Sequence, residues 1–343
     1  MSAVDPMEGA GLPVEIGRID RELGRLWEEA GESKTRASLL NLVLYTEDPA
    51  AVAPNTNLIS ELATEHACRA ILILAEPAAS PTRARAWINA HCHFAGKREI
   101  CSEQISFHLQ GEAADALPGI VFSHLDSDLP LCLWWQAGFR ENVDEKLWAW
   151  VDRLLFDSAV WTDPARGFAA TRAIARLGDR RTVLADLNWA RLLGARFALA
   201  GLFDSPAAIA AIPSIESVRI GCGPGHSTAA RLLLGWLASH FGWKLEGSRA
   251  LRAGGTEIRL EIAEEAAGSW GIVSCELAGP GFSARIARSP AHYDCRLLLP
   301  GQPAQHTTAA AGRESFRDLI ISELARGGRH GQYREAAAAA FPG

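Results

Sequence analysis

An α/β fold is expected for this sequence: an N-terminal mixed, mainly parallel sheet with flanking helices, followed by a C-terminal α+β region with antiparallel strands. Three observations predict it. Continuous apolar runs of strand length, LLNLVLYT at residues 39–46 and AILILAEP at 70–77, bracket a segment of helical character, as in a βαβ unit whose strands are buried on both faces. A third run, LPLCLWW at 129–135, continues the alternation of strands and helices. Beyond residue 244 the pattern changes to short alternating strands: in TEIRLEIAEE, Ile258, Leu260 and Ile262 alternate with Glu257, Arg259 and Glu261, which predicts a meander with one wet face.

Composition bounds the function classes. With 343 residues, 48% hydrophobic and 22% charged, the chain can bury a full core. Its 34 basic against 40 acidic residues, net −6, argue against nucleic acid or an anionic membrane as the main partner, because both favour a dominant basic field. The first residues lack a basic segment followed by an apolar core, so a cytoplasmic protein is expected. Seven cysteines without a repeated C-x-x-C do not form a secreted disulfide framework. Eleven tryptophans, with Trp134, Trp135, Trp148, Trp150 and Trp161 crowded together, predict an aromatic core or an interface anchor.

Taken in order, Ile16, Ile19, Leu23 and Leu26 recur at helical spacing and mark a surface helix. Asn55 or Thr56 is placed to cap a helix reaching about Cys68. The segment from Thr82 to Gly111 reads as two strands around Gly96, with a helix over 82–91 as the competing reading. A two-residue turn at Gly96 and Lys97 sets Ala95 opposite Arg98 and Cys92 opposite Cys101; an odd loop puts the two thiols on opposite faces. A helix follows in AADALPGIVFSHLDS, and another in ENVDEKLWAWVDRL, with Val143, Leu147, Trp150, Val151 and Leu154 on one face and Trp148 off it. Residues 154–161 read as a strand, and Pro164 opens a helix to about Leu177.

The stretch 180–204 is the most enclosed by its own composition. It passes from Thr182, Val183 and Leu184 through Asp186, Asn188 and Trp189 into a helix without a polar face, where Arg191 and Arg196 need partners. A strand at 217–223 then enters a helix striped by Ala230, Leu233, Leu234 and Leu237; ESFRDLIISELARG is the last clear helix, and the polyalanine tail is expected to fray. The domains expected are a helix and linker at 1–34, an α/β domain at 35–162, an α+β domain at 163–330 and a tail at 331–343.

Four groups of residues are candidates for chemistry. The loop with Gly221, Gly223, Gly225 and Ser227 sits between strand and helix, where backbone N–H groups can hold a phosphate; lacking Gly-Lys-Ser/Thr and interrupted by Pro224, it reads first as a tight turn. His91, Cys92, His93, Cys101, Glu103 and His108 include metal-ligand types but not two closely spaced ligand pairs, so no metal is assigned. Cys92 and Cys101 form a candidate redox pair. Asp186 can serve as a general base and Arg191 or Arg196 as an anion clamp, but without a second acid, base or nucleophile at a recognisable spacing the Asp-Leu-Asn run reads as a helix cap, and no catalytic residue is assigned.

The run LADLNWARL at 184–192 resembles the glucose-6-phosphate dehydrogenase assembly proteins called OpcA. RASLLNLVLYTED at 36–48, ACRAILILAEP at 67–77, AHC and ICSEQISF around Cys92 and Cys101, LPLCLWW at 129–135 and GWLASHFGW at 235–243 resemble the same family in the same order. The resemblance implies a protein that is not itself a dehydrogenase, carries no cofactor, and assembles or allosterically activates glucose-6-phosphate dehydrogenase of the oxidative pentose phosphate pathway by protein–protein docking. Trp189, Arg191 and Arg196 are expected at or just beneath the docking surface, with Asp186 and Asn188 fixing the strand-to-helix corner; in the competing reading all five only organise the domains. The alternative function is a sugar-phosphate- or nucleotide-binding enzyme or sensor using residues 221–227.

Overall fold

The computed structural model describes residues 5–30, 34–95, 98–139, 145–177, 182–252, 255–266, 271–312, 315–328 and 330–342. Gly96, Lys97, Val143, and residues 180 and 181 at the start of the enclosed stretch lie outside the described residues. Two compact units form: Met1–Phe156 with Ala170–Ala185 and Ile320–Gly328, and Asp157–Ala169 with Asp186–Leu319 and Arg329–Gly343.

The first unit is built on a sheet of β1 (Leu12–Val14), β2 (Lys34–Arg36), β3 (Leu40–Thr46), β4 (Cys68–Glu76), β5 (Arg83–Ala95), β6 (Arg98–Gln110), β7 (Leu131–Trp135), β8 (Arg153–Phe156) and β9 (Val183–Asp186). Its spatial order is β1-β5-β6-β4-β3-β7-β8-β9, with β2 beside β6. The pairs β6/β4, β4/β3, β3/β7 and β7/β8 are parallel. Every residue of β3 is buried, as a strand covered on both faces requires. Its helices are α1 (Ile19–Ala30), α2 (Val52–Leu62), α3 (Leu117–His124) and α4 (Glu145–Trp148).

The β5/β6 hairpin has the register of a two-residue turn: Ala95 faces Arg98 and Cys92 faces Cys101, so the helical reading of 82–91 is set aside. Two other expectations are corrected. Asn55 does not cap α2; it lies buried inside it, and Asp48 caps the preceding 3-10 turn Pro49–Ala51 by accepting from Ala50 N at 2.9 Å. Pro54 falls in the first turn of α2, where a missing N–H costs nothing.

The long helix expected over 141–154 is, among the described residues, the single turn α4. Trp148 is buried against Trp135 and Phe139 at centroid separations of 5.3 and 6.2 Å, while Trp150 is exposed. The chain must leave the helix early, because Asp152 exchanges hydrogen bonds with Leu131 and β8 pairs with β7. The face assignment from hydrophobic spacing, with Trp150 inward and Trp148 off it, is therefore reversed.

The second unit carries β10 (Ser217–Cys222), β11 (Lys244–Glu246), β12 (Arg249–Leu251), β13 (Glu257–Glu264), β14 (Ile272–Gly279), β15 (Phe282–Arg288), β16 (His292–Leu298) and β17 (Gln305–Ala310), ordered β11-β12-β13-β10-β14-β15-β16-β17. All neighbours are antiparallel except β10 and β13. Ile258, Ile286 and Cys295 point inward while Arg219, Arg259, Glu261, Arg285 and Arg296 are exposed, giving the expected wet face.

The remaining helices are α5 (Pro164–Leu177), α6 (Leu187–Arg191), α7 (Leu193–Gly201), α8 (Pro206–Ala211), α9 (Ser227–Phe241), α10 (Phe316–Ala325) and α11 (Gly331–Ala340). The polyalanine segment does not fray: α11 docks on α9 with Tyr333, Ala336 and Phe341 buried. Small residues permit this close approach, since a Cβ on Gly235 would lie 2.2 Å from the Ala336 carbonyl oxygen. Among the described residues no single helix is long and apolar enough to cross a membrane, although the bent pair Leu193–Gly201 and Pro206–Ser214 meets that test by length and composition.

Candidate functional site

The Asp-Leu-Asn-Trp run folds as a strand end turning into a capped helix. Asp186 ends β9 and caps α6, its Oδ1 accepting from Asn188 N at 3.0 Å. The same oxygen accepts from Ser158 N at 3.0 Å, and Oδ2 accepts from Ser158 Oγ at 2.7 Å. Asn188 Nδ2 donates to Ser158 Oγ at 3.0 Å, which closes a buried ring through the three residues. Burial pushes the Asp186 carboxyl up to about 7 and neighbouring Asp157 adds to the rise, while the hydrogen bonds from Ser158 and Asn188 pull it back.

The two arginines also find partners within this unit. Arg191 makes a bidentate pair with Asp157 at 2.8 and 2.7 Å and lies 5.1 Å from the centroid of Phe316. Asp157 in turn caps the 3-10 turn Ser158–Val160 by accepting from Ala159 N at 3.1 Å. Arg196 lies buried with its guanidinium carbon 3.7 Å from the Trp189 ring centroid, and Trp189 also contacts Tyr333 at 5.8 Å. Asp186 and Asn188 are thus held by Ser158, Arg191 by Asp157, and Arg196 by Trp189, with Ser158 and Asp157 as partners that the sequence motif does not reveal. A carboxylate 2% exposed and held by three donors is placed to fix a turn rather than to take a substrate proton.

The loop from Gly221 to Ser227 is an acidic environment. Gly225, at φ +77°, donates its N–H to Glu264 Oε1 at 3.1 Å, so the chain's own carboxylate takes a group that a phosphate would need. Glu265 stands beside it, accepting from Ser274 Oγ at 2.9 Å and bonding through its backbone to Cys222. Burial and these two glutamates raise the Cys222 thiol. Gly221, Gly223, Gly225 and Ser227 are thus brought together as a turn whose anion-binding capacity is opposed by two acids.

Of the metal-ligand types on the hairpin, the structure separates most. His91 bonds Gln104 Oε1 at 2.7 Å; Glu103 pairs with Arg69 at 2.8 Å and accepts from Trp27; His108 lies buried between Glu76 and Arg85. Cys92 and Cys101 are joined by a disulfide, their Cα atoms 4.0 Å apart.

A further site emerges only from topology. Numbered along the chain, the strands β3, β4, β6, β7, β8 and β9 lie in the order 3-2-1-4-5-6, the doubly wound arrangement that binds dinucleotides outside the carboxyl ends of its first and fourth strands. Here those strands are β3 and β7. Their ends are spanned by the chain's own side chains: Tyr45 stacks on Trp135 at 3.9 Å and 8°, and Asn55 and Gln136 exchange hydrogen bonds of 2.7 and 3.0 Å. The turn after β3 reads Glu47-Asp48-Pro49, without glycine; Glu47 accepts from the Tyr45 hydroxyl at 2.8 Å, and Asp48 caps the turn. A pyrophosphate placed there meets carboxylates in place of bare N–H groups.

The comparisons with known proteins agree with the residue pattern. Residues 59–173 match the family model described as glucose-6-phosphate dehydrogenase subunit N-terminal domain, and residues 182–337 match its C-terminal domain model. The chain is 25% identical over 314 residues to the OxPP cycle protein OpcA of Synechococcus elongatus, covering 82% of this chain and 68% of that one. It is 25% identical over 193 residues to the corresponding protein of Synechocystis sp., covering 55% of this chain but only 40% of that relative. Among solved structures, biliverdin reductase from Synechocystis sp. aligns with a TM-score of 0.46 at 11% identity over 88% of this chain and 96% of that one, a likeness too distant to carry an argument. With both domain models matched in sequence order, the chain belongs to the OpcA family, whose two domains are described as those of a glucose-6-phosphate dehydrogenase subunit.

Proposed function

We propose that this chain is a non-catalytic, cytoplasmic partner of glucose-6-phosphate dehydrogenase that docks on the enzyme and favours its active assembly or conformation in the oxidative pentose phosphate pathway. The observation that carries the reading is the set of side chains bridging the ends of β3 and β7. A doubly wound sheet whose first and fourth strands are bridged at their ends by the Tyr45–Trp135 stack and the Asn55–Gln136 amide pair, with two acids in its first turn, is suited to act through its surface. The family descriptions support the choice of partner. Docking can activate the enzyme only by the difference between its affinities for the active and inactive states.

Within this reading the Asp186 network supports a docking surface from beneath. Arg191 reaches partway to solvent and holds the half-exposed Phe316, while Trp189 and Arg196 stay buried. The test is dehydrogenase kinetics with and without this chain, paired with size exclusion; unchanged rate, substrate affinity and oligomer size would sink the proposal. The alternative, a sugar-phosphate or nucleotide site at residues 221–227, draws support from the start of α9 but is opposed by Glu264 and Glu265. Calorimetric titration of the isolated chain with glucose 6-phosphate and with NADP+ discriminates the two, since only the alternative expects heat of binding.

A further inference from the structure

The face of the β5/β6 hairpin that carries the disulfide holds a donor set that the dithiol state would release. Cys92 and Cys101 are directly opposed, and Glu99, two residues before Cys101, projects to the same face of its strand. The two sulfurs and a Glu99 carboxylate oxygen lie within 4.8 Å of one another. His91 and His93 alternate to the other face. Cys92 is exposed while Cys101 is fully buried, so a reductant reaches the pair from the Cys92 side.

We propose that, once reduced, Cys92, Cys101 and Glu99 form an open binding site for a thiophilic divalent cation of the zinc class. Reduction breaks the S–S bond with two electrons and two protons from a dithiol reductant, which becomes a disulfide. Cation binding then displaces the two thiol protons and forms two metal–sulfur bonds and one metal–oxygen bond, with water in the fourth position. Tetrahedral metal–sulfur distances of about 2.3 Å hold two sulfurs roughly 3.7 Å apart, so the bonded pair must part on reduction before both can reach one cation, with the Glu99 oxygen within range of the same point. Thiolate pairs with a carboxylate suit zinc over magnesium or calcium, which take oxygen ligands. Disulfide and metal dithiolate are thus mutually exclusive states of the hairpin.

The other five cysteines do not compete. Cys68, Cys132, Cys222, Cys275 and Cys295 are buried and unbridged, and burial pushes the thiols of Cys68 and Cys275 up to about 12 and that of Cys132 to about 11. Their thiolate forms are scarce at neutral pH.

The experiment is Zn2+ titration of the full chain against a chromophoric chelator after treatment with a small dithiol and its removal, with the untreated disulfide form alongside. The reduced chain is expected to bind one Zn2+ and the disulfide form none. Cys92→Ser, at an exposed position, is expected to weaken binding by more than the roughly 10–100-fold that loss of an outer partner costs, and Glu99→Gln by a smaller factor. Co2+ substituted for Zn2+ should show sulfur-to-metal charge-transfer absorbance that is absent from Cys92→Ser. Equal Zn2+ affinity of the reduced chain, the disulfide form and Cys92→Ser would overturn the site, as would Co2+ binding without sulfur absorbance.

Discussion

Two strand-to-helix corners, the one after β3 in the first unit and the one after β9 leading into the second, satisfy their first helical N–H groups with an aspartate under opposite solvent conditions. Asp48 caps its turn at an exposed position, with Ala50 N as donor. Asp186 makes the same local bond to Asn188 N but is buried, and its second oxygen organises Ser158. The loop before α9 repeats the theme with Glu264 on Gly225 N. A bare helix start attracts anions; in all three places this chain supplies its own carboxylate. The difference lies in burial: an exposed cap fixes a local turn, whereas a buried one is coupled to everything packed on it.

Substitutions at the two corners test this role of burial. The largest effect is expected at the first corner from its covering, not its cap: Trp135→Ala removes the indole stacked on Tyr45 and packed against Phe139 and Trp148, and should cost about 3–5 kcal/mol in denaturant unfolding. If that variant also gains NADP+ binding, Trp135 is the barrier in the crevice; continued absence of binding assigns the exclusion to Glu47 and Asp48. Asp186→Ala strands the Ser158 hydroxyl and the Ser158 backbone N–H as well as removing the cap, and should cost about 2–4 kcal/mol. Asp48→Ala loses only an exposed cap, about 0.5–2 kcal/mol; equal losses at Asp48 and Asp186 would refute the role assigned to burial.

The pH dependence separates the corners further. The Asp186 carboxyl rises from 3.8 to about 7 on folding, so its protonated form is the one the folded state favours. Its contribution to stability is fully present below about pH 3.8 and is lost as pH rises through about 7, at about 1.4 kcal/mol for each tenfold difference in proton affinity between folded and unfolded chains. The stability of the parent minus that of Asp186→Asn should therefore fall between about pH 4 and pH 8, measured by urea unfolding at each pH. A flat difference would mean that the carboxyl is not raised.

Much of this architecture was legible in the residues. Fully apolar runs announced β3, β4 and β7, and strict alternation announced the wet face of β13, because side-chain period and burial are linked directly. The Cys92–Cys101 opposition followed from counting back from a two-residue turn, since register fixes which residues face each other. Local reasoning failed where a distant partner decided the outcome. Asn55 looked like a cap but is held inside α2 by Gln136, and the alanine-rich tail looked frayed but is held by α9 through Gly235. Spacing put Trp150 on the apolar face and Trp148 off it, and the structure reverses the two, because a contact with Trp135 selects Trp148. Glu99 gave no signal as a donor, lying neither at metal-ligand spacing nor within a motif.

The candidate site divides along the same line. The Asp-Leu-Asn-Trp run by itself specified a capped strand-to-helix corner, because an aspartate preceding a helix accepts N–H groups within two residues of itself whatever surrounds it. Only the tertiary structure supplied Ser158 to that aspartate, Asp157 to Arg191 and Trp189 to Arg196, and only the order of the strands placed Tyr45 and Trp135 across the crevice between β3 and β7. The physical reason is range. Caps, turns and side-chain alternation act over a few residues, while pairing of buried charges and filling of a crevice depend on which segments the fold brings side by side.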